Sequence, residues 1–223
     1  MVDLELGTLS FTSESFYEQV SLLRNALRDL DESITTLGTR QQQSLAQGNS
    51  GPSTLESEIS QRQAGLRNEI GGIKRRIEEL GKTVGRDEGR RGHWDGLKAS
   101  LGKAVGRYQQ IEMAQRERIK DRVARQYKIV KPYATDEEVK AVVDSNQGGQ
   151  IFMQAVASSR SEGAQAALSE AKTRQGEIQR IEQTLMELAE LFNQVAELVA
   201  EQDVSIAAIE ETSRQVEDET RFA

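Results

Sequence analysis

Apolar residues recur along this chain at steps of three and four, the spacing that gathers them on one face of an α-helix. The first run extends from about Ser15 to Ala46 and carries Phe16, Val20, Leu23, Leu27, Leu30, Ile34 and Leu37. Ser15, followed three residues on by Glu18, reads as a capping box at its start. Gln47-Gly48-Asn49-Ser50-Gly51-Pro52 ends it, because Gly and Pro suit a turn and cannot sustain a helix. A second box, Ser53 with Glu56, opens the next run, whose stripe is Leu55, Ile59, Leu66, Ile70, Ile73, Ile77, Leu80 and Val84. Gly71 and Gly72 lie inside it and either weaken the helix, by up to ~1 kcal/mol each, or mark a close crossing. Gly85 to Gly92 reads as a polar connection. The third helix then starts near Trp94, runs through Leu97, Leu101, Val105, Tyr108, Ile111, Ile119, Val123 and Tyr127 to Val130, and is stopped by Pro132.

Long helices joined by short loops favour an antiparallel up-down arrangement, since a short loop forces neighbours to pack side by side. The expected fold is therefore all-α, with a tail at 1–14 and a three-helix bundle at 15–131. A linker at 132–161 follows. It holds a short helix from Thr135, boxed by Glu138, with Val139, Val142 and Val143 as its apolar face. Gly148-Gly149 then interrupts, and Ile151, Phe152 and Val156 form a brief apolar patch.

The last stretch, 162–223, differs in kind. Its apolar positions are Ile178, Ile181, Leu185, Leu188, Phe192, Val195 and Val199; Gln202 takes the next place, and Ile206, Ile209, Ser213, Val216 and Thr220 follow. Steps of three and four alternate without a skip. Such a strict, narrow seam signals a coiled coil. It has nothing to bury itself against except partner helices, so alone it is either largely unfolded or folded back on the bundle as a fourth helix. Gln202 stands out because a buried amide costs on the order of 1–3 kcal/mol unless a partner satisfies it. It is either a tolerated polar defect or a register device. As a device it is best met by an Arg from one partner and Gln from others.

Composition removes most chemistry from consideration. The chain has no cysteine, so disulfides, thiolate metal sites and cysteine nucleophiles are out. His93 is its one histidine, too few for a histidine metal site or a Ser-His-Asp triad. No acid, base, nucleophile or metal constellation can be named, so neither an enzyme nor a cofactor is expected. The net charge of −7 with few aromatics argues against nucleic acid. No stretch approaches the ~18 apolar residues of a membrane span, and the start is not a secretory signal; a soluble chain in the cytosol is the expectation. Lys74-Arg75-Arg76 and Arg90-Arg91 alternate with acids and read as solvated surface, and Trp94 reads as a packed bundle end. Charge does differ between regions: 116–131 holds seven basic and two acidic residues, whereas 162–223 carries a net −9. That contrast suits a fold-back, although apolar packing has to supply most of its energy.

Several segments also resemble one family, in order and spacing. Ala167-Leu168-Ser169-Glu170-Ala171-Lys172-Thr173-Arg174-Gln175-Gly176-Glu177-Ile178, and Met186-Glu187-Leu188-Ala189-Glu190-Leu191-Phe192-Asn193 running on to Gln202, are similar to the SNARE motif of syntaxins. Arg125 to Pro132, Ala134 to Val139 and Gly148 to Phe152 resemble the third-helix end and linker of fungal-type plasma-membrane syntaxins. The resemblance implies that 15–131 is an Habc-like regulatory domain and that 162–223 is a SNARE motif of the Qa class, with Gln202 as zero layer. Ile178 to Val199 would be layers minus seven to minus one, and Ile206 to Thr220 layers plus one to plus five. It further implies a parallel four-helix complex with a synaptobrevin-like R-SNARE and the Qb/Qc helices of a synaptosome-associated-protein-like partner. Zippering from Ile178 would drive vesicle–plasma membrane fusion in exocytosis, with autoinhibition by the amino-terminal domain and an SM-type syntaxin-binding protein as a further partner. Val139 and Lys140 fall where the family holds a linker latch, though the second position is basic here rather than acidic. Family members continue into further layers, a basic stretch and a single transmembrane helix. A chain ending at Ala223 is thus expected to be a soluble piece of a protein anchored on the cytosolic face of the plasma membrane. The alternative is a self-associating structural coiled-coil scaffold using the same seam.

Overall fold

The computed structural model describes residues 13–47, 53–144, 148–159 and 163–221, with side chains described for 15–47, 54–144, 148–159 and 163–198. These residues form α1 (Ser13–Gln47), α2 (Ser53–Gly81), α3 (Glu88–Val130), α4 (Asp136–Asp144), α5 (Gly148–Ser158) and α6 (Ala164–Arg221), with no strand among them. The all-α class is as expected. Every residue of the first stripe, Phe16 to Leu37, is at most 7% exposed. The second stripe is buried too, apart from the half-buried Ile59. α1 begins at Ser13, ahead of the expected cap, so Ser15 lies inside its first turn. Gly71 and Gly72 mark no close crossing, because a Cβ on either would have no neighbour within 4 Å.

The helices are shared between two compact units. Unit 1 takes α1 up to Glu32, α2 from Leu66, α3 up to Val105 and α6 from Leu191. Its α2–α3 turn is tighter than the polar connection expected over 85–92. Residues 82 to 84 donate back to Glu79, Leu80 and Gly81, and Gly85 supplies the left-handed backbone (φ 59°) that reverses the chain. Asp87 then caps α3, its Oδ1 accepting the Arg90 N–H at 3.1 Å. The helix therefore starts at Glu88, not near Trp94, and carries Gly89 and Gly92 within it. Trp94 packs as a bundle-end residue. Its indole N–H donates to the Ile77 carbonyl at 2.8 Å, and a Cβ on Gly81 would lie 2.6 Å from its ring.

Unit 2 takes α1 from Ser33, α2 up to Gly65, α3 from Gly106, then α4, α5 and α6 up to Glu190. One apolar cluster joins Ile119, Val123 and Tyr127 of α3 with Val142 of α4, Phe152 and Val156 of α5, and the first turns of α6. The box that opens α4 is reciprocal: the Thr135 N–H donates to Glu138 Oε2 at 3.1 Å, and Thr135 Oγ1 accepts the Glu138 N–H at 3.3 Å. After it, Gly148 opens a second linker helix where an interruption and an apolar patch were expected. Only glycine fits at its start, since a Cβ there would lie 1.9 Å from the Val142 carbonyl oxygen.

Unit 2 also buries a polar layer. Glu112 is fully buried and accepts hydrogen bonds from Gln41 Nε2 at 3.0 and 3.1 Å and from Gln63 Nε2 at 2.9 Å. Gln115, 4% exposed, donates to the Gln41 backbone carbonyl at 3.3 Å. Burial pushes the Glu112 carboxyl above its usual range, while bonds from Gln63, Gln41 and Tyr108 pull the other way.

Candidate partner-binding seam

Within unit 2, α6 lies antiparallel to α3: Glu170 meets Arg122, and Glu182 meets Arg116. The seam faces that packing. Ile178 and Ile181 are 3% and 4% exposed in the apolar cluster, Leu185 is half-buried against it, and Leu188 is fully buried. In unit 1, Val195 is 2% exposed and packs over Gly102, where a Cβ would lie 3.7 Å from its Cγ1.

Phe192 breaks the pattern, at 42% exposed. A seam repeating every 3.5 residues drifts by ~20° per heptad around a straight helix of 3.6 residues per turn. Two residues beside the seam, Thr184 and Leu198, are buried instead. Fold-back thus uses a face overlapping the seam without matching it. Val199, Gln202, Ile206, Ile209, Ser213, Val216 and Thr220 lie outside the residues whose side chains are described, although the helix continues to Arg221.

Polar clamps flank the apolar contact. Glu170, 9% exposed, accepts from Arg122 Nε at 2.6 Å and from Gln126 Nε2 at 2.5 Å. Arg116 donates to Glu182 at 2.8 Å. Of the basic residues at 116–131, Arg116 and Arg122 pair with acids of the last segment, whereas Lys120, Lys128 and Lys131 pair with Asp144, Asp136 and Glu138 of the linker. Arg174, only 1% exposed, pairs with Glu177, whose carboxyl is pushed up by burial against the pull of Arg174. In unit 1, Lys98 is 1% exposed; its Nζ lies 3.7 Å from the Trp94 ring centroid and 2.9 Å from Asp95, and donates to the Leu198 carbonyl at 3.3 Å. That carbonyl is the one the amide of residue 202 addresses in an α-helix.

Of the two linker positions singled out, Val139 is half-buried against the unit 2 cluster and Lys140 is exposed. Sequence reasoning missed Lys98, Glu112, Glu170 and Arg174. Their types read as solvated surface, and only their positions between apolar stripe residues hinted at burial. Beside Ile181 is a cavity of about 40 Å³, lined among others by Gln41, Gln115, Glu177 and Arg180, with room for little more than a few waters. Among the described residues no group of three His, Cys, Asp or Glu could hold a metal ion, and no helix is long and apolar enough to cross a membrane.

Comparison with known proteins bears on the same segments. The Syntaxin family model matches residues 12–156, and the SNARE domain model matches 169–223. Protein transport protein SSO2 of Candida albicans is 45% identical over 105 residues, 47% of this chain and 35% of that protein. Syntaxin-like protein psy1 of Schizosaccharomyces pombe is 29% identical over 218 residues, 94% of this chain and 74% of that protein. Protein SSO2 of Saccharomyces cerevisiae is 39% identical over 117 residues, 52% of this chain. The matched stretch takes in only 39% of that last relative.

Proposed function

This chain belongs to the syntaxin family, which does no bond-making chemistry, and from that premise we propose that it is a target-membrane SNARE of the Qa class. In this reading α6 joins a synaptobrevin-like R-SNARE helix and two Qb/Qc helices in a parallel four-helix complex at the cytosolic face of the plasma membrane. The complex drives vesicle fusion there, and an SM-type protein assists it. Gln202 is the zero layer, and the seam from Ile178 to Thr220 supplies the other layers. The work comes from burial, roughly 1.5–3 kcal/mol for each large aliphatic side chain removed from water.

One observation carries the reading: Ile178, Ile181, Leu188 and Val195, which partner helices need, are already buried against the chain's own helices. Partners and fold-back compete for one face. The amino-terminal helices are therefore autoinhibitory, and assembly waits on their release. The test mixes the chain with synaptobrevin-like and Qb/Qc helices and follows assembly by circular dichroism. A thermally robust complex should form, and it should form faster with isolated 162–223 than with the whole chain. Equal rates would remove autoinhibition; absence of any complex would remove the assignment. A self-associating scaffold instead predicts homo-oligomers of 162–223 in sedimentation without partners.

A further inference from the structure

Part of α6 is held by contacts that no partner helix needs. Residues 164 to 177 precede the first seam position, and Ala164, Ala167, Leu168 and Ala171 all belong to the unit 2 cluster with Val142 of α4 and Phe152 of α5. Glu170 is clamped by Arg122 and Gln126. Pulling this stretch away would strip the water-excluded Glu170 of Arg122 and Gln126 and open the cluster, with no seam layer gained in return.

Between this anchor and Ile178 stands Gly176, the one glycine in the 58 residues of α6. Glycine inside a helix weakens it locally, through the backbone freedom it regains when the helix opens. Packing does not call for it, because a Cβ there would meet nothing within 4 Å. We infer that Gly176 is the hinge of opening: residues 164–175 stay docked on α3, α4 and α5 while the seam from Ile178 swings out. The inference rests on the assembly reading above and adds to it where the helix bends and what stays behind. The Arg116–Glu182 pair lies beyond the hinge and breaks, the Arg122–Glu170 pair lies before it and holds, and the Arg174–Glu177 pair spans it and is lost as the helix bends. The linker helices remain folded in the complex and keep the amino-terminal helices tethered to its start.

Hydrogen exchange on the whole chain, with and without synaptobrevin-like and Qb/Qc helices, tests this, with sedimentation of the same samples to show whether a complex forms. Peptides covering 164–175, α4 and α5 should keep their protection in the complex, while α3 around Arg116 exchanges faster. If the complex forms and 164–175 loses protection together with α4 and α5, the hinge is wrong and the assembly reading stands. If no complex forms, both fall. Gly176→Ala adds a methyl group to open space and stiffens the helix, so assembly should slow about five-fold, the Ala–Gly difference in helix propensity. Gly71→Ala in α2, equally free of neighbours, serves as control and should leave the rate unchanged. An unaltered rate with Gly176→Ala, or equal slowing with Gly71→Ala, would overturn the hinge.

Discussion

Among single side chains, Glu112 places a carboxyl in the buried polar layer of unit 2. Its folded-state pKa is raised, chiefly by burial, so the folded chain holds the proton more tightly than the unfolded chain does. Its penalty is absent below the ordinary value of 4.5 and grows as pH rises through the raised value. Glu112→Gln removes that slope, because an amide does not titrate. The melting temperature of the variant minus that of the wild type should therefore be more positive at pH 7 than at pH 4. Equal differences at both pH values would show that the carboxylate is not strained by burial. In the assembly proposed above, Gln202 is the residue that sets register. Gln202→Arg should weaken assembly by placing two guanidinium groups in one layer, and an Arg→Gln change in the R-SNARE helix should restore it. Weakening without rescue would mean the amide sets no register.

At the scale of elements, the linker helices pack with the first turns of α6 in one apolar cluster. α4 has only nine residues, too few to persist in water without its cap and its packing. Thr135→Ala removes one half of the reciprocal box and should cost about 1 kcal/mol of helix stability, read as faster exchange of the α4 amides. Val139→Ala should speed exchange of the amides of α4 and of 164–175, because the side chain packs on the unit 2 cluster, whereas Lys140→Ala, at an exposed position, should not. The reverse ranking would place the latch in charge rather than in packing. Phe152, 1% exposed and edge-on to Tyr127 at 5.4 Å, ties α5 to α3. Truncation to alanine should cost roughly 3–5 kcal/mol in chemical denaturation and open α6 as well. A variant as stable as the parent would show that α5 carries none of the fold-back energy.

For the whole molecule, the proposed assembly implies a competition between fold-back and partner helices for overlapping faces of α6. The folded-back arrangement offers shape but a mismatched period, leaving Phe192 at the surface. In the proposed complex a supercoiled bundle would match the 3.5-residue repeat and so would bury Phe192, which fold-back leaves out. Limited proteolysis should therefore find Phe192 and the residues after it more readily cut in the free chain than in the complex. Equal resistance in both states would mean that partner binding adds no cover there.

Sequence periodicity by itself settled that the chain is helical, which residues form the inward stripes of α1, α2 and α3, and that the last helix carries a narrower seam than a globular helix needs. Those features are local, since a repeat of three and four residues writes the buried face directly into the chain. The start of α3 at Asp87, the helix at Gly148 and the burial of Lys98, Glu112 and Arg174 were decided only by the tertiary structure. For Lys98 and Glu112 the partners lie far along the chain, the Leu198 carbonyl and the amides of Gln41 and Gln63, and only folding brings them within reach. Which side of α6 turns inward is likewise a property of the assembled helices, because a straight helix cannot keep a 3.5-residue seam on one line.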